Sequence, residues 1–60
     1  MTEVYLVVGI KGLDSEVVLG VYDDIAEAMS HLMKVKGYEG YDMVELQGWK
    51  GKLHRVVTRI

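Results

Sequence analysis

No cysteine and no proline occur in the chain. Without cysteine there can be no disulfide staple and no thiolate zinc site. Without proline, the turns fall to glycine, and the chain carries seven. Long apolar runs are also missing. The stretch Val4-Tyr5-Leu6-Val7-Val8 is far shorter than the roughly 20 residues that a bilayer span needs. The N-terminus carries Glu3 and lacks a basic segment, so a signal peptide is not expected. A soluble cytoplasmic protein with no membrane association follows as the expectation.

Charge of one sign is missing from each end. From Met1 to Met33 the single base is Lys11, against Glu3, Asp14, Glu16, Asp23, Asp24 and Glu27. After Glu45 there is no acid, while Lys50, Lys52, Arg55 and Arg59 follow. Such segregation marks either an interaction surface or two ends that pair across a sheet or a dimer.

Half of the 60 residues are hydrophobic. That is ample for one core, yet a domain this short buries only about 60% of its unfolded surface. With staples excluded, oligomerisation is the remaining way to add burial.

The stretch Gly20-Val21-Tyr22-Asp23-Asp24-Ile25-Ala26-Glu27-Ala28 reads as a strand turning into a helix. Asp24 suits the cap position, and Glu27 three residues on has capping-box spacing. Ile25, Ala28, Met29, Leu32 and Met33 fall at helical spacing as the buried stripe. Lys34 and Lys36 suit the last turn, and Gly37 the position after it.

On either side the pattern is β. Glu3 to Ile10 and Glu16 to Tyr22 read as two strands around the turn Gly9-Ile10-Lys11-Gly12 and the loop Leu13-Asp14-Ser15. After the connector Tyr38-Glu39-Gly40, Tyr41 to Gln47 and Leu53 to Ile60 read as two more around Gly48-Trp49-Lys50-Gly51. The two Gly-x-x-Gly turns, each followed by a Val-Val pair at the same offset, suggest hairpins built alike. The fold predicted is α+β, a single ββαββ domain over 1–60. Its four-stranded antiparallel sheet takes the order 2-1-3-4, with one helix on one face. The order 1-2-3-4, which needs a right-handed parallel crossover, is the competitor.

Alternation then assigns faces. Val4, Leu6, Val8 and Ile10 lie on one side of the first strand, and Tyr5 and Val7 on the other. The face away from the helix is expected to expose Tyr5, Val7, Val18 and Met43, with Trp49 near it. An apolar patch of that kind is rarely left to water, so a second copy or a partner should cover it.

Catalytic constellations are weak. Asp23 and Asp24 have the spacing of a helix start, and Ser15 and Ser30 lack a triad context. Glu27 and His31 stand one helical turn apart, but two ligands do not make a metal site. Neither Gly-x-x-Gly turn has P-loop or dinucleotide spacing. Both resemble the GXXG loop of KH modules, but that loop joins helices. No catalytic residue, metal or cofactor is assigned.

The best functional lead is the basic last hairpin: Trp49, Lys50, Lys52, His54, Arg55 and Arg59. Aromatic and arginine side chains together suit a protein interface. The same set could stack and neutralise single-stranded nucleic acid, although the chain as a whole is acidic.

The junction Gly20-Val21-Tyr22-Asp23-Asp24-x-x-Glu27-Ala28, after the strand Val4-Tyr5-Leu6-Val7-Val8, resembles short phage and bacterial proteins of unknown function. The likeness covers about residues 4–34; the basic C-terminal hairpin departs from the acidic ends of that group. The layout also resembles small phage inhibitors of host enzymes. The resemblance implies a small non-enzymatic protein that acts as a homo-oligomer and binds or inhibits a host protein. The alternative is a nucleic-acid-binding module using the last hairpin.

Overall fold

A computed structural model describes residues 3–12, 15–36 and 40–60. The elements run β1 (Val4–Lys11), β2 (Ser15–Tyr22), α1 (Ile25–Val35), β3 (Met43–Lys50) and β4 (Leu53–Arg59). The sheet order is β2-β1-β3-β4, with every neighbouring pair antiparallel. The ββαββ α+β architecture is therefore the one the sequence pattern predicts.

The helix begins as its composition dictates. The Asp24 carboxylate accepts a hydrogen bond from the Ala26 N–H at 2.9 Å, satisfying one of the orphan donors of the first turn. At the other end the Lys36 N–H donates to the Leu32 carbonyl at 3.1 Å. Gly37 as the residue after the helix, Leu13 and Asp14 in the first loop, and Tyr38 and Glu39 in the connector lie outside the described residues.

The buried stripe is narrower than the periodicity suggests. Ala28, Leu32 and Val35 are buried, whereas Ile25 and Met33 are exposed. A single helix lying over β1, β2 and β3 contacts them along one line, so residues at the edge of the stripe meet water instead. Ala28, Leu32 and Val35 pack on Val7 of β1 and on Val44 and Leu46 of β3, and these six residues are the core. Tyr5, Leu19, Tyr22, Met29, Tyr41 and Val57 close around it. Burying one such aliphatic side chain fully contributes about 1.5–3 kcal/mol.

Two of the expected face assignments are overturned. Val7 is fully buried beneath the helix, and Tyr5 packs against the same core, so neither lies on the open face. Apolar residues occupy both sides of β1, so alternation alone gave no polarity to choose by. Tyr41 belongs to the helix side too. It precedes β3 and lies over Gly9, where an added Cβ would stand 2.6 Å from its ring.

A bulge on each outer strand shifts the alternation. Val7 pairs with Gly20 but Val8 with Val18, leaving Leu19 as the extra residue of β2. Leu46 pairs with Thr58 but Gln47 with Val56, leaving Val57 as the extra residue of β4. The extra residue puts Val18 and Val21 on the same face, since their partners Val8 and Leu6 share one.

The two hairpins are indeed built alike. Gly12 and Gly51 both turn with positive φ, at +72° and +63°. Gly9 and Gly48 are both buried within the strands, and each hairpin carries one bulge. The turn between β3 and β4 is tighter than expected: Gly48, Trp49 and Lys50 are strand residues, and only Gly51 and Lys52 turn.

Candidate interaction surface

Among the described residues, none forms a layer over the sheet face away from the helix. Pairing places on it the β1 residues Val4, Leu6, Val8 and Ile10, because each stands opposite a residue that alternates with the core positions of β3. Val18 and Val21 of β2 join them, with Met43 opposite Ile10 and Val56 opposite Gln47. Of the sequence-derived interface set, Val18 and Met43 therefore stay on the open face, and Tyr5 and Val7 leave it. Val18 is 55%, Val21 62% and Val56 44% exposed.

The β1–β2 half of this face is apolar apart from Glu16 at its margin, opposite Ile10. The β3 half carries a polar ladder. Gln47 donates through Nε2 to Glu45 Oε2 at 2.8 Å, and Trp49 donates through Nε1 to Gln47 Oε1 at 3.0 Å. Strand spacing brings these three together, since residues two apart project from the same face. Arg59 on β4 approaches the second oxygen of Glu45 at 3.5 Å. The Trp49 ring stacks on the His54 ring at 4.2 Å and 13°.

Glu45 is only 3% exposed, although nothing covers its face of the sheet. A buried carboxyl needs partners for its oxygens, and Gln47 and Arg59 supply one to each. The centre of this surface, at Val8 and Glu45, is thus already shielded by neighbouring side chains.

The basic hairpin does not form one cluster. Trp49, His54 and Arg59 belong to the open face, and Lys50 and Lys52 to the exposed hairpin tip. Arg55 lies on the helix side, opposite Gly48. There its guanidinium donates to Glu3 at 3.3 Å. That hydrogen bond, followed by one from the Tyr5 hydroxyl, holds the Glu3 carboxyl below its ordinary value of 4.5. The reciprocal effect raises Tyr5 above its ordinary 10.0, chiefly through its hydrogen bond to Glu3. Gly48 makes room for this group: a Cβ there would stand 2.7 Å from Glu3 Oε2. Glu3 and Glu45 thus each take one of the two arginines.

A shallow groove of about 290 Å³ runs beside the helix, lined by Tyr22, Glu27, Ser30, His31 and Lys34. Tyr22 and His31 share a hydrogen bond of 2.8 Å between the hydroxyl and Nδ1, with their rings edge to face. Gly20 permits this contact, since a Cβ there would stand 2.7 Å from His31 Nδ1. Sequence reasoning missed both this pair and the ladder. The available signals were a glycine inside a strand, which marks close approach, and the two-residue spacing of Glu45, Gln47 and Trp49. Among the described residues, no three His, Cys, Asp or Glu side chains are grouped to hold a metal ion. No helix among them is long and apolar enough to cross a membrane. Comparison with protein-family models, with curated proteins and with solved structures finds no match to this chain.

Proposed function

We infer that this chain is a small non-enzymatic protein-binding domain that works as a homo-oligomer, with the open sheet face as its interface. The observation that carries this reading is the apolar surface of Val18, Val21 and Val56 beside a glutamate already withdrawn from water. Exposed apolar residues on both edges of one sheet face, Val18 and Val21 on β2 and Val56 on β4, favour that face as an interaction site. Lys50 and Lys52 at the exposed tip supply cationic groups for a second contact, to a partner protein, with the stacked Trp49–His54 pair beside them at the margin of the open face. The resemblance to short phage proteins points to a host protein as that partner.

The nucleic-acid reading is less favoured. Arg55 and Arg59 lie on opposite faces, and each faces a carboxylate within the chain. A phosphate-tracking groove needs unneutralised cations along one path. Gel shifts with single- and double-stranded DNA and RNA at low salt should show no complex; a salt-sensitive shift would support the alternative.

The test of the main reading is Val18→Lys. Val18 is exposed and paired to Val8 at the edge of the open face, so the substitution leaves the core of Val7, Leu32 and Leu46 untouched. Circular dichroism should be unchanged while self-association weakens at least tenfold in sedimentation. A folded variant that associates as well as the parent would remove the open face from the interface. Recovery of the same lysate partners by the parent and by Lys50→Ala, Lys52→Ala would remove the tip.

A further inference from the structure

We propose that two copies of this chain close into one eight-stranded antiparallel barrel, with the open faces inside, the helices outside, and β2 of each copy beside β4 of the other. The proposal rests on the reading of the open face as a contact between copies, and adds how that contact is made.

Strand direction is the first argument. β1 is antiparallel to β2 and to β3, and β3 to β4, so β2 and β4 run in opposite directions. A second copy turned about an axis parallel to the strands keeps those directions. Its β2 then meets β4 of the first copy as an antiparallel neighbour, and its β4 meets β2 on the far side. One two-fold operation thus satisfies both edges and covers both apolar faces.

Charge is the second. Glu16 lies on β2, and Asp23 and Asp24 directly follow it. β4 holds His54, Arg55 and Arg59 and no acid. Register puts Glu16, opposite Ile10, at the end of the sheet where Arg59 stands opposite Glu45. It puts Asp23, just past Tyr22, at the end where Arg55 stands opposite Gly48. Opposite charges meet at both ends of a β2–β4 junction: each arginine already approaches a carboxylate of its own chain, yet the Arg55 and Arg59 side chains stay 62% and 55% exposed toward the neighbouring edge. A β2–β2 or β4–β4 junction sets like charges together.

The sheet edges are the third. Flat stacking of two open faces leaves both outer strands unpaired. These strands are 8 and 7 residues long, and unpaired edges of that length template aggregation. Pairing both edges supplies the missing contact. Eight strands enclose an interior that side chains fill. Here Leu6, Val8, Val18, Val21, Met43 and Val56 from each copy would enter it on either side of the Glu45–Gln47–Trp49 ladder, whose carboxylate is already paired with Arg59 of its own chain. The bulges fall on the two strands that must bend to meet a neighbour, and bulges are the usual source of such curvature.

The absence of native cysteine allows a direct test. Val17 stands opposite Gly9 and Thr58 opposite Leu46, so both belong to the helix side of the outer strands. In the barrel they are neighbours across the junction between copies. In a face-to-face stack the helix sides point away from each other. Val17→Cys and Thr58→Cys chains are refolded separately and together, then treated with a short bis-maleimide, with sedimentation run in parallel. The barrel requires cross-linked dimer in the mixture and none in either population alone. Cross-linking of Val17→Cys with itself overturns the barrel in favour of β2–β2 pairing. A sedimenting dimer without cross-linking in the mixture overturns it in favour of stacked faces, and leaves the open-face reading standing. A monomer throughout overturns both.

Discussion

At the scale of single residues, three strand glycines leave room for side chains that pack over the strands. Gly9, Gly20 and Gly48 each lie under a side chain from elsewhere: Tyr41, His31 and Glu3. Gly20→Ala puts a methyl group 2.7 Å from His31 Nδ1, so the Tyr22–His31 hydrogen bond must break or the ring must swing out. Overpacking of this kind costs about 1–3 kcal/mol. Removing the ring in Gly20→Ala, His31→Ala should return part of that loss, which a double-mutant cycle in urea would read. The ladder makes a parallel claim. Gln47→Ala leaves Glu45 Oε2 and Trp49 Nε1 without their partner, at about 1–3 kcal/mol. Trp49 is the sole tryptophan, so its fluorescence reports both the unfolding midpoint and the local change. At the hairpin end, Glu3 has a folded pKa below its ordinary 4.5. Its contribution to stability is complete above that value and is lost as pH falls through the lowered folded value. Tyr5 is raised above 10.0, so its contribution holds below that value and fades as pH climbs past it. Arg55→Ala should move the Glu3 midpoint up toward 4.5 in an NMR titration; an unchanged midpoint would deny Arg55 its role.

At the scale of elements, the helix holds the sheet through one line of side chains. Leu32 is fully buried against both central strands, and Leu32→Ala should cost about 2–5 kcal/mol. A 60-residue domain has about 3–9 kcal/mol in total, so urea denaturation should show a variant near its unfolding threshold at 25 °C. This helix and the strand order were legible in the sequence. Asp24 caps where a short acidic side chain should, and the directions of the elements leave few ways to pair them. The faces of β1 were not legible, because Tyr5, Leu6, Val7 and Val8 carry no polar alternation to orient them. The bulges at Leu19 and Val57 were not legible either, and they change which β2 and β4 residues share a face. The end of β3 was misread because Gly48 looks like a turn residue. Its actual role is to lie flat beneath Glu3, and the misplaced boundary hid the ladder that runs from Glu45 to Trp49.

At the scale of the whole molecule, one sheet face is closed by the helix and the other is open. The chain has no cysteine to staple it, and its core is six residues. The proposed self-association would supply what is missing: a cover for Val18, Val21 and Val56, and partners for the edges of β2 and β4. Sedimentation velocity over a micromolar concentration series tests it most directly. The account predicts a species of twice the 6.8 kDa chain mass in the parent and its loss in folded Val18→Lys. A parent that sediments as a single chain throughout the series would contradict it.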